Sequence, residues 1–266
     1  FGQQDKDIAI VGMALTTSLV DDCHQFWEKL IHGVNCIRGI PNSRKENIHS
    51  LFPFKSYSAF LNNNAFLENI DLFDNEYFGI PPSDAKAIDP RHRLFLENAY
   101  HTIEDASQIA HIQGSKTGLY LAMNSSDSNY QQLVEEANFD IENNISSVFK
   151  NTPSLALGRL ANFFNIKGPA SIIDTSSSSS LVSLHFACRA IQQNECCKAL
   201  VGGIKLMLFP TKKKHQIGLE SSDGYTRSFD DSSDGTSWGE GVASVFLKPL
   251  KKALEDKDNI YAVIRG

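Results

Sequence analysis

An α/β fold around a partly parallel sheet is predicted by three observations. Short apolar runs of strand length recur along the chain, segments of helical spacing with capping residues separate them, and no internal repeat or linker breaks the alternation. Residues 1–266 therefore read as one structural unit.

The elements follow in order. Ile8-Ala9-Ile10-Val11-Gly12-Met13 is apolar throughout and ends at a glycine, which predicts a buried strand. Phe26, Leu30 and Ile31 recur at helical spacing, closed by Gly33. Residues 34–66 are rich in Asn, Ser, Pro and aromatics and are expected to be irregular surface loops. Asp89-Pro90 opens a helix, with Asp at the N-cap and Pro at the first helical position. Its apolar side is Leu94, Phe95, Ala99 and Ile103. A second strand is expected at Gly118–Met123 and a helix over Ser154–Phe164, begun at Thr152-Pro153. A third strand, Ala170–Asp174, runs through a serine block into a helix whose Leu181, Leu184, His185, Cys188 and Ile191 are expected on one side. Strands at Ala199–Leu208, Val242–Leu247 and Ile260–Ile264 complete the pattern, with a helix between the last two.

Composition excludes several classes. A net charge of -6 and a pI of about 5.7 give no nucleic-acid footprint, and Lys212-Lys213-Lys214-His215 reads as a solvated loop. No apolar stretch approaches the ~20 residues of a membrane helix, and the polar start of the chain does not read as a signal peptide. Five scattered cysteines without C-x-x-C spacing point to a reducing cytoplasm, not to disulfides or zinc. Gly114-Ser115-Lys116-Thr117 lacks a phosphate loop's earlier glycine, since Ile109 stands there. There is no G-x-S-x-G elbow. Asp230-Asp231-Ser232-Ser233-Asp234-Gly235 lacks the ligand spacing of a calcium loop and reads as a solvated turn.

Ser176–Ser180 is the remaining feature with chemical potential. Serines between a strand and a helix are capping material. The same place presents free N–H groups and the positive end of the helix dipole, which lower a thiol's pKa and receive oxyanions.

Around that block, Asp174-Thr175-Ser176-Ser177-Ser178-Ser179-Ser180-Leu181-Val182-Ser183-Leu184-His185 is similar to the ketosynthase signature D-T-A-C-S-S-S-L-V-A-L-H. Phe73-Asp74-Asn75-Glu76-Tyr77-Phe78-Gly79-Ile80 and Ala87-Ile88-Asp89-Pro90-Arg91-His92-Arg93-Leu94 resemble two further blocks of that family. Gly158-Arg159-Leu160, Gly168-Pro169-Ala170, Ser228-Phe229-Asp230 and Gly239-Glu240-Gly241 follow in the family's order. The chain thus resembles the N-terminal half of a polyketide-synthase β-ketoacyl synthase along nearly its whole length.

The resemblance implies a thiolase-like fold, a layered α-β-α-β-α sandwich of two pseudo-duplicated halves, with dimers formed through the strand at 170–174. It implies acyl transfer and decarboxylative Claisen condensation in polyketide or fatty-acid-like biosynthesis. No cofactor is expected to bind directly; the substrate rides on the phosphopantetheine arm of an acyl carrier protein, which becomes the expected partner. No nucleic acid or membrane partner is expected.

Ser177 stands at the position of the family's nucleophilic cysteine, and Thr236-Ser237-Trp238 departs from the family's usual small and basic residues. The family's two catalytic histidine motifs do not occur; His185 matches a position that is not catalytic. A serine hydroxyl titrates far above a cysteine's ~8.5, so a helix dipole alone does not ionise it, and a general base is needed. Read this way, the chain is truncated and does not condense by itself. Its open half-fold is expected to pair with itself or with a chain supplying the C-terminal half. Three origins of the serine stay open: a substitution that traps an acyl complex, a natural non-elongating domain, or a decarboxylating variant. The alternative reading is a non-catalytic scaffold for dimerisation or docking in a megasynthase.

Overall fold

The computed structural model describes residues 6–51, 64–124, 130, 151–208 and 220–265. The basic run at 212–215 lies outside them. The strands are β1 (Ile8–Thr17), β2 (Thr117–Ala122), β3 (Ala170–Ile173), β4 (Lys198–Lys205), β5 (Gly241–Pro249) and β6 (Ala262–Ile264). The helices are α1 (Cys23–Ile31), α2 (Asn42–Leu51), α3 (Pro82–Ala87), α4 (Pro90–Asp105), α5 (Ile109–Ile112), α6 (Ser154–Phe163), α7 (Ser179–Gln192) and α8 (Leu250–Asp256).

The strands form one mixed sheet in the order β3-β2-β4-β5-β1-β6. β2 lies parallel to both β3 and β4, whereas β5 is antiparallel to β4 and to β1, and β6 is antiparallel to β1. The parallel register puts Ala122 opposite Ile173 and Gly203, so β2, β3 and β4 end along one edge.

Side chains alternate across the sheet, as strand geometry requires. Leu119, Leu121, Leu200 and Phe246 join Phe95 and Ile103 of α4 on one face. Tyr120, Val201 and Leu247 join Ala187 and Ile191 of α7 on the other. Two glycines allow the close approach. A Cβ on Gly12, at the β1 bulge, would lie 2.6 Å from Ala106 Cβ, and one on Gly202 would lie 2.6 Å from the Phe95 ring.

The N-cap at Asp89 is as expected, its carboxylate accepting from the Arg91 N–H at 2.8 Å. Two expectations need correction. Of residues 34–66, expected to be irregular, 52–63 lie outside the described residues, and Asn42–Leu51 forms α2. Nor do Leu181 and His185 share the buried stripe of α7; both are exposed, whereas Cys188 and Ile191 of the expected side are buried, together with Ser183, Ala187 and Ala190. Small Ser183 and Ala187 let the helix sit close to β2 and β4, with Leu181 and Phe186 turned outward.

Candidate active site

β3 delivers the chain to the shared edge at Asp174. A short 3-10 turn, Ser176–Ser178, then leads into α7. Ser176 has φ +57, a left-handed conformation costing a residue with Cβ roughly 1–2 kcal/mol. Side-chain hydrogen bonds hold it. The Ser179 hydroxyl accepts from the Thr175 N–H at 2.8 Å and donates to the Ser176 carbonyl at 2.7 Å. Ser178 Oγ donates to the Thr175 carbonyl at 2.8 Å, and the Ser176 N–H donates to Asp174 Oδ1 at 3.3 Å. Deeper in α7, Ser183 Oγ donates to the Ser179 carbonyl.

Ser177 differs from Ser178 and Ser179. Its side chain is exposed and, among the described residues, its hydroxyl makes no hydrogen bond. It sits at the N-terminal end of a 14-residue helix with no acidic residue in the first turn. That place favours developing negative charge.

What the arrangement lacks is a base. Among the described residues, no histidine, lysine or carboxylate bonds to Ser177. His185 is exposed, its ring 6.0 Å from that of Phe186. His92 is buried, its Nδ1 accepting from Arg159 at 2.6 Å. Burial comes first among the effects that push His92 down to about 4; Arg159 and Arg91 add to it against the opposing Asp89 carboxylate. Three of the five cysteines are poor substitutes for a nucleophile: burial pushes the thiols of Cys23 and Cys188 up, and that of Cys196 up to about 11. Among the described residues no three His, Cys, Asp or Glu side chains gather as a metal site, and no helix is long and apolar enough to cross a membrane.

Two buried ion pairs flank this edge, and the sequence reading assigned a role to neither. Arg91 grips Asp89 and donates to the carbonyl of Asn124, just past β2. Arg44 of α2 meets Glu240, just before β5. The D-P-R-H block is thus a structural knot behind the edge. Asp89 and Arg91 lie in one of the blocks that resemble the family and Glu240 in another, Gly239-Glu240-Gly241; Arg44 lies in none of them, and no local signal marked it as Glu240's partner.

Residues 5–253 match the family described as Beta-ketoacyl synthase, N-terminal domain. Polyketide synthase PksM of Bacillus subtilis is 39% identical over 275 residues, covering 98% of this chain and 6% of that protein. Among solved structures, the ketosynthase from module 6 of the bacillaene synthase of Bacillus subtilis, crystallised as a cysteine-to-serine variant, superimposes with a TM-score of 0.80 at 35% identity. That match covers 97% of this chain and 43% of the other. The module 1 ketosynthase of the Bacillus amyloliquefaciens bacillaene synthase gives a TM-score of 0.81 at 30% identity, covering 98% and 45%. The chain therefore spans under half of these solved ketosynthases and a small fraction of the curated synthase.

Proposed function

The chain belongs to the β-ketoacyl synthase family and carries its thiolase-like fold, and from that premise we propose that Ser177 occupies the acyl-acceptor seat of a polyketide-synthase ketosynthase. In such a seat a thiolate attacks the thioester carbonyl of an acyl group on a carrier protein's phosphopantetheine. The tetrahedral oxyanion collapses, the pantetheine sulfur leaves and takes up a proton, and the acyl group remains on the enzyme. Decarboxylation of a malonyl-type thioester then supplies the carbanion that attacks the enzyme-bound acyl group.

The observation that carries this reading is the Ser177 hydroxyl at the α7 N-terminus, exposed and without a hydrogen bond among the described residues, between a strained residue and two serines committed to the backbone. A cysteine there gains thiolate character from the helix end. A serine does not, and among the described residues no base stands against it, so this chain does not acylate or condense by itself. The acyl carrier protein is its expected partner, in the cytoplasm. Decarboxylation calls for histidines supplied by the complementary half of the fold.

A second reading, a non-catalytic dimerisation or docking scaffold, is favoured by uncovered apolar surface. β3 is an edge strand without charge or proline, and Leu181 and Phe186 beside it are exposed. α1 buries no residue, leaving Phe26, Trp27, Leu30 and Ile31 facing solvent. Incubation with an acyl-pantetheine thioester and intact-mass analysis of the protein, with and without Ser177→Cys, separates the readings. Labelling restored by cysteine supports the seat; a folded protein unlabelled in both forms supports the scaffold.

A further inference from the structure

Arg44 and Glu240, 196 residues apart, are both buried and paired. Arg44 Nη1 lies 2.5 Å from Glu240 Oε2, and Nη2 lies 3.1 Å from Oε1. The same guanidinium nitrogens donate to the carbonyls of Leu67 at 3.2 Å and Met207 at 3.0 Å. The same carboxylate oxygens accept from the backbone N–H groups of Leu67 at 2.8 Å and Met207 at 2.7 Å. One ion pair thus takes both backbone polar groups of two residues from distant segments, as an intervening strand would.

The gripped positions bear on the edge that carries Ser177. Met207 lies two residues past Lys205, the end of β4, and Glu240 two residues past Trp238. Lys205 Nζ stands 5.5 Å over the Trp238 ring. Gly203 faces α7, where a Cβ would lie 3.9 Å from Ser180 Cβ, and Lys205 points to the same side by strand alternation. Residues 64–67 brace the far side. Ala65 N–H donates to the Trp238 carbonyl at 3.0 Å, Glu240 N–H to the Ala65 carbonyl at 2.8 Å, and Trp238 N–H to Asn64 Oδ1 at 3.1 Å.

We propose that Arg44 and Glu240 are a positioning pair that sets the Lys205–Trp238 wall beside the Ser177 seat, and through it the affinity for the thioester-bearing arm. This rests on the acyl-transfer reading above. Glu240→Gln turns an amide NH₂ toward groups that are all donors, releasing Leu67 or Met207. Arg44→Lys keeps the charge but cannot serve both carboxylate oxygens and both carbonyls from one ammonium.

The test has two arms. Trp27 and Trp238 are the two tryptophans, so a Trp27→Phe background leaves Trp238 as the reporter. There, Glu240→Gln and Arg44→Lys shift Trp238 emission to the red and increase its quenching by acrylamide, with the far-ultraviolet circular dichroism unchanged. In a Ser177→Cys background, either variant raises the half-saturating concentration of acetyl-pantetheine thioester about tenfold and leaves the plateau acylation rate within about twofold. If a single variant does not fold, the double variant Arg44→Met/Glu240→Leu removes both charges together and is read in the same two ways. Unchanged Trp238 emission and unchanged half-saturation in a folded variant overturn the proposal. Absence of acylation in the Ser177→Cys parent defeats the acyl-transfer reading instead, and the emission arm still decides whether the pair positions Trp238.

Discussion

Ser179 closes the turn that presents Ser177. Its hydroxyl takes the N–H of Thr175 and gives its proton to the carbonyl of Ser176, bridging the one residue of the turn with a positive φ. Removing it leaves the strained residue held only by the longer bond from its N–H to Asp174 Oδ1 and by the neighbouring Ser178–Thr175 bond. Ser179→Ala is expected to destabilise the protein by about 1–3 kcal/mol in urea denaturation, whereas Ser180→Ala, exposed and without a comparable bond, stays within about 0.5 kcal/mol.

His92 makes stability depend on acid. Its folded pKa of about 4 lies below the ordinary 6.5, so the unfolded chain takes up the proton first. The stability from keeping His92 neutral is complete above about pH 6.5 and declines as the pH falls through about 4, by up to about 3 kcal/mol. Denaturation between pH 7 and pH 4, compared with His92→Gln, checks this; a parallel decline in both proteins contradicts it.

Gly202 tests the packing of α4 on the sheet. A Cβ there meets the Phe95 ring at 2.6 Å and Ser244 Oγ at 2.9 Å, inside a buried layer. Gly202→Ala is expected to cost about 1–3 kcal/mol or more. Gly39→Ala, where a Cβ meets nothing within 4 Å, is the control and stays near neutral.

The uncovered surface around β3 and α7 predicts association. Leu181 is 72% exposed and Phe186 50% exposed, so charging both disturbs little inside the fold. The parent protein is expected to sediment as a dimer or larger at micromolar concentration, and Leu181→Glu/Phe186→Glu to shift it toward monomer. A stable, folded monomer of the parent removes this part of the account.

Much of this fold was legible from local signals. Asp89-Pro90 announces α4 because capping chemistry is local, and Ile8–Met13 announces β1 because a strand buried on both faces is apolar at every position. α2 was missed because Asn42–Leu51 lacks a strong apolar stripe; its buried anchor is Arg44, whose partner is 196 residues away. On α7 the periodicity suggested a stripe through Leu181 and His185, but the sheet selects small Ser183 and Ala187 for close approach. At the site, resemblance pointed to Ser177, but not to which neighbours were tied down. That depends on the backbone geometry of Thr175 and Ser176.

The most direct test of the Ser177 seat is a cysteine scan of the turn. Ser177→Cys, Ser178→Cys and Ser179→Cys are each incubated with acetyl-pantetheine thioester, and the acylated residue is located by mass spectrometry of peptides. The account predicts acylation at position 177 alone, with the unsubstituted protein unlabelled. Equal labelling at 178 or 179, or labelling of the unsubstituted protein at another residue, would contradict it.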